Sequence, residues 1–132
     1  MPVAAGDFEV TTWDAGAPWD EPGDGEPALG RATVDKTFSG AIDGTSVAEL
    51  LTAQGDHGEA YCAIEKFEGI VDGLAGSFVL EHGGHRAPGV EPVSFGFIVR
   101  GSGTGELTGI TGTANYRHDE SGAVLTLSYE LA

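Results

Sequence analysis

Through most of this chain, apolar residues recur at every second position, and that rhythm limits the fold more than any other feature. "DFEVTTW" (7–13) places Phe8 and Val10 on one side. "RATVDKTF" (31–38) does the same with Ala32, Val34 and Phe38. "GSFVLEH" (76–82) aligns Phe78, Leu80 and His82, and "VSFGFIV" (93–99) aligns Val93, Phe95, Phe97 and Val99. "AVLTLSYEL" (123–131) aligns Leu125, Leu127, Tyr129 and Leu131. "AYCAIEKFEG" (60–69) adds aromatic and β-branched residues. A period of two belongs to an extended strand with one face buried, not to a helix.

Turn chemistry separates these runs. Asp43-Gly44, "QGDHG" (54–58), Asp72-Gly73, "HGGHRAPG" (82–89) and "HDESG" (118–122) punctuate the chain at regular intervals. The spacing predicts strands at about 7–14, 29–42, 44–53, 59–70, 74–83, 92–101, 111–118 and 122–131. Eight neighbouring antiparallel strands close naturally into a meander barrel, which removes exposed sheet edges. "TSVAELL" (45–51) is the one dissenting stretch. Ser46 and Glu49 stand at capping-box spacing, with Val47, Leu50 and Leu51 at helical spacing. Its neighbours read as strand, turn and strand, so a strand is expected here too. The Pro/Gly-rich, acidic segment at about 15–28 reads as a long flexible loop between the first two strands. Trp19 within it keeps a lid role open.

With 132 residues the chain fits one domain. Its 21 acidic residues against 6 Lys and Arg give a net charge of −15, which argues against nucleic acid and anionic membranes as partners. Cys62 is the only cysteine, so no intrachain disulfide can form. "MPVAAGDFEV" carries neither the basic nor the apolar region of a secretion signal, and no apolar run approaches a membrane span. The expectation is a soluble cytoplasmic protein.

"GSGTGELTGITG" (101–112) invites a phosphate-loop reading and fails it. From either Gly101 or Gly103 the third glycine of a dinucleotide fingerprint is missing. No Gly-Lys-Ser/Thr is present, and no amphipathic helix follows. The stretch reads instead as a corner, with one tight helical turn near 106–108 and Leu107 plugging one end of the barrel. His82 and His85 in "EHGGHR" lack an obvious third donor, so no metal is expected.

Three ionisable residues break the polarity rule. Lys36 lies in phase with Val34 and Phe38, Glu65 with Tyr61, Ala63 and Phe67, and His82 with Phe78 and Leu80. If those faces point inward, the interior holds a lysine, a glutamate and a histidine. Buried charges must pair, and Lys36 with Glu65 is the expected pair. Their functional reading is a general acid/base, Glu65 or His82, beside a cation that stabilises developing oxyanion charge. Their structural reading is a pair that fixes strand register or sits at a solvated barrel mouth. Cys62 falls on the opposite phase and is expected outside the barrel.

"FSGAIDGTSVAELL", "EKFEGIVDGLAGSFVLEHGG" and "GSGTGELTGITGTANY" together resemble a small bacterial family of unknown function whose known folds are similar to the allene oxide cyclase β-barrel. "FEVTTWD" fits the same pattern, so the resemblance spans nearly the whole chain except 18–27. "GTGELTGITG" is also similar to the glycine-rich turn of allene oxide cyclases and dirigent proteins. The resemblance implies an all-β fold: an eight-stranded antiparallel β-barrel, allene oxide cyclase-like or lipocalin-like in outline. It is compatible with a homo-oligomer and carries over no catalytic residues.

Two function classes follow. One is a barrel that binds a small, largely apolar molecule and acts as a cofactor-independent cyclase or isomerase, with Glu65, His82 and Lys36 assisting. Trp13, Tyr61, Phe67, Phe78, Leu80, Phe95, Phe97 and Tyr129 would then line its pocket. The other is a non-catalytic binding or assembly module, because eight strands are just wide enough for side chains to fill the interior. An open cavity or a solid interior around Lys36 and Glu65 separates the two.

Overall fold

The computed structural model of the protein describes residues 2–132. Eight strands follow one another in chain order: β1 (Val3–Ala15), β2 (Ala28–Gly40), β3 (Ile42–Gly55), β4 (Gly58–Val71), β5 (Leu74–Ala87), β6 (Val90–Ile98), β7 (Thr111–Asp119) and β8 (Gly122–Glu130). Each pairs antiparallel with the next, and β8 returns to β1, so the sheet closes into a barrel. The period-two pattern therefore prevails throughout. "TSVAELL" is part of β3, where it pairs on both sides with β2 and β4. Its helical spacing loses because two flanking ladders satisfy its backbone groups. No helix is long and apolar enough to cross a membrane.

Several boundaries differ from the sequence expectation, including that of β6, which ends at Ile98 rather than 101. The β2–β3 connection falls at Ala41, so Asp43-Gly44 lies inside β3 rather than in a turn. "HGGHR" is strand, and β5 continues to Ala87 before it turns. β1 begins four residues earlier than expected, where it meets β8 at Val3↔Ser128. The 16–27 segment is an exposed connection, tied by the Gly16 N–H to the Arg31 carbonyl and by a bridge between Asp20 and Leu29.

The interior divides into two unlike halves. At one end Phe38, Ile42, Phe67, Val71, Phe78, Leu80, Ile98, Leu125 and Leu127 interdigitate into a closed apolar core. A single 3₁₀ turn, Gly105–Leu107, drives the fully buried Leu107 into that end as a plug. Gly103 makes this turn possible: a Cβ there would fall 2.0 Å from the Leu107 carbonyl oxygen. At the other end lies a cavity of about 710 Å³, open to solvent.

β1 contains a bulge. Val10 pairs with Lys36 and Thr12 with Asp35, leaving Thr11 unpaired. Past this point the inward phase changes from even to odd positions, and Trp13 comes opposite the buried Val34.

Candidate functional site

The floor of the open half is polar. Glu65 on β4 is fully buried and accepts four hydrogen bonds. Its Oε1 receives the Lys36 ammonium at 3.0 Å, His82 Nε2 at 2.8 Å and the Tyr116 hydroxyl at 2.9 Å. Its Oε2 receives the Ser46 hydroxyl at 2.6 Å. These donors stand on β2, β5, β7 and β3, so five strands converge on one carboxylate. Inward phase brings them there: each occupies the interior position of its strand at the level where the closed core ends. Lys36 Nζ also lies 5.0 Å from the Phe8 ring centroid and 4.9 Å from that of Tyr116, a cation–π sandwich.

A chain of hydrogen bonds leads outward. His82 Nδ1 is 3.0 Å from the Tyr61 hydroxyl, and Tyr61 lines the cavity. With Nε2 donating to Glu65, a neutral His82 accepts from Tyr61 at Nδ1; a protonated His82 donates to it instead. The His82 ring stacks on Tyr116 at 4.3 Å between centroids, which fixes its orientation.

Electrostatics keep the carboxylate charged. Burial by itself raises the Glu65 pKa, but the His82 hydrogen bond, the Lys36 charge, the Ser46 hydroxyl and the His82 charge together hold it at about 2. Burial and then the Glu65 charge push both Tyr61 and Tyr116 upward, so both phenols stay neutral at ordinary pH.

This depressed pKa has a pH signature. In the unfolded chain Glu65 titrates near 4.5. Above that value both states are ionised and its full contribution is present. As pH falls below it the unfolded chain takes up a proton that the folded chain refuses, so stability drops until about pH 2. The 4.5-to-2 difference corresponds to a contribution on the order of 3 kcal/mol. Denaturation midpoints measured from pH 6 to pH 2 should fall more steeply for the wild type than for a Lys36→Met/Glu65→Gln double variant. Parallel profiles would refute the assignment.

The other expected pocket residues separate. Trp13 and Tyr61 line the cavity. Phe67, Phe78 and Leu80 face inward as expected but belong to the closed core. Tyr129 also lies in that core, near the closed end, where its hydroxyl donates to Asp72 at 2.5 Å. Phe95 and Phe97 face outward, 46% and 45% exposed, which corrects their placement in the pocket. The inward positions of β6 are Gly96 and Ile98, and the Phe95 ring covers Gly83 on the outer wall. A Cβ on Gly83 would lie 2.9 Å from that ring, so the missing side chain makes the seat. Cys62 is exposed on the same outer side. His85 lies on β5, bordering the cavity. Among the described residues, no group of three or more His, Cys, Asp or Glu is placed to hold a metal ion.

Sequence reasoning missed Tyr116 and Ser46. Tyr116 stands in phase with Ala114 in a polar strand, "TANYRHD", with too few apolar neighbours to mark a face. Ser46 was masked by its capping-box spacing, although it pairs with Lys36 on one side and Phe67 on the other.

Comparison with known proteins follows the same lines. A crystal structure of a DUF3224-family protein of unknown function from Shewanella oneidensis MR-1 superposes with a TM-score of 0.89 at 32% identity, covering 100% of this chain and 98% of that one. No curated protein gives a significant match. Residues 4–131 match the family described as protein of unknown function (DUF3224). The eight-stranded barrel, closed at one end and open at the other, thus belongs to the DUF3224 family.

Proposed function

We propose that the open half takes up a small, largely apolar molecule, and that the polar floor moves a proton on it as a cofactor-independent isomerase or cyclase would. The observation that carries this reading is an apolar-walled cavity that ends on the chain Tyr61–His82–Glu65 beside Lys36. Phe8, Val10, Trp13, Ala32, Val34 and Leu50 supply the walls. Its volume lies within the range of small-molecule sites.

Glu65 is the fixed anion of this chain. It accepts four hydrogen bonds, two of them from Lys36 and His82, so it orients His82 and balances its charge rather than carrying a proton itself. His82 is the proton acceptor, reached from the cavity through the Tyr61 hydroxyl. A proton leaving one atom of the substrate passes to His82 and returns to another. The net change is an isomerisation or ring closure that needs no oxidant or reductant. Lys36 faces the negative charge that develops on a substrate oxygen. The cavity walls hold a flexible substrate in a reactive shape.

A second reading, a binding or assembly module whose charges only fix strand register, is favoured by one observation. Every buried side-chain polar atom of the described residues already has a partner.

Uptake is tested with a neutral apolar fluorophore such as N-phenyl-1-naphthylamine. Saturable 1:1 enhancement is expected for the wild type, and at least tenfold weaker binding for Leu50→Trp, which pushes an indole into the cavity. Absence of saturable binding to the wild type would rule the cavity out as a site. If a substrate is found, Tyr61→Phe should lose turnover by a larger factor than it loses binding.

A further inference from the structure

Charge is distributed very unevenly between the cavity and the rest of the surface. The cavity lining takes about a fifth of the chain. Of the 21 acidic residues, only Glu59 belongs to it. Of the ten basic groups, Lys, Arg and His together, six do: Arg31, Lys36, His82, His85, Arg86 and His118. Even spacing would put about four acids and two bases there. Glu59 and Arg86 pair and cancel each other, which leaves no unpaired acid and five basic groups in the lining. On a molecule of net charge −15, the cavity is a concave region where acids have been nearly excluded.

The floor repeats the bias at atomic scale. Glu65 Oε1 already accepts three hydrogen bonds and Oε2 one, and its charge is matched by Lys36. Lys36 has three N–H donors and spends one on Glu65 at 3.0 Å. The Lys36 ammonium is buried, borders the cavity and otherwise faces the Phe8 and Tyr116 rings, so it still has a donor to offer an acceptor in the cavity. A hydrocarbon end group would leave that donor unpaired. An ammonium head group would meet like charge. An anionic oxygen satisfies it, and a protonated His82 lets the Tyr61 hydroxyl turn and donate to the same oxygen.

We propose that the ligand of this cavity is an amphipathic organic anion, an apolar body with a single carboxylate-like head. The head sits on the floor against Lys36 and Tyr61, and the body runs along Val10, Trp13, Val34 and Leu50 towards the mouth. The basic groups around the cavity steer the anion past the acidic exterior. This inference rests on the cavity reading above and adds the chemical class of the ligand.

The test uses three eight-carbon probes that differ only in the head group: octanoate, octanol and octylammonium. Each is titrated into the protein at pH 7 and low salt, with binding followed by calorimetry. Octanoate is expected to bind at least tenfold more tightly than octanol, with octylammonium weakest. Octanol equal to or tighter than octanoate, or a preference for octylammonium, would overturn the anion proposal and leave the apolar-cavity reading standing. So would binding of the neutral fluorophore without binding of any of the three. Failure of all four probes would overturn both. A Lys36→Met/Glu65→Gln variant removes both charges together. It should lose the tenfold preference and bind octanoate no better than octanol. An octanoate preference that survives in this variant would refute the placement of the head on Lys36.

Discussion

Replacing Glu65 with alanine is expected to lower folding stability by about 4 kcal/mol, a large share of what a domain of this size possesses. The carboxylate is fully buried, and its removal strands four donors at once. Lys36 would be left as a buried charge with no counter-charge, the costliest of these losses. Ser46, Tyr116 and His82 would each lose a partner in a place that water reaches poorly. Urea denaturation of Glu65→Ala and of a Lys36→Met/Glu65→Leu double variant separates pairing from packing. The double variant removes both charges and refills the space, so it should recover most of the lost stability. A single variant that loses less than about 1 kcal/mol would mean that the cluster is solvated rather than buried.

A loss of similar size, about 4 kcal/mol, is expected for Phe67→Ala, from a different cause. Phe67 is fully buried at the centre of the closed half. Its ring meets Phe38 edge-on at 5.5 Å and Phe78 at 5.1 Å between centroids. Truncation removes its burial and both ring contacts, and it leaves a void that closed strands cannot collapse around. Leu50→Ala is the internal control. Leu50 is only half-buried and already faces the open cavity, so its truncation should cost about 1 kcal/mol. Equal losses at the two positions would contradict the division of the barrel into a packed half and an open one.

Much of this architecture could be read from alternation alone. Lys36, Glu65 and His82 stood out because each occupies an apolar phase, and phase is a strictly local property of a strand. The junction of all three at one carboxylate follows from the register between β2, β4 and β5, which alternation leads to only indirectly. Phe95 and Phe97 show the limit of the method. Alternation sorts the residues of a strand into two faces, but it does not say which face is inside. In β6 the larger residues lie outside, because Gly83 on the neighbouring strand offers a seat there and the interior level is taken by Gly96 and Ile98. The extent of the cavity was equally illegible. Whether inward side chains meet across a barrel depends on their summed volumes at each level, not on their pattern.

The unpaired Thr11 has an effect out of proportion to its size. Had β1 run without interruption, even-numbered side chains would have gone on facing inward beyond Val10. Thr12 and Asp14 would then point into the barrel, and Trp13 into solvent. One surplus residue works as a parity switch: it exchanges a carboxylate for an indole at the entrance. Any relative that lacks the irregularity while keeping the same residue count should therefore carry its aromatic residue one position away, or present an acid at the threshold of its cavity.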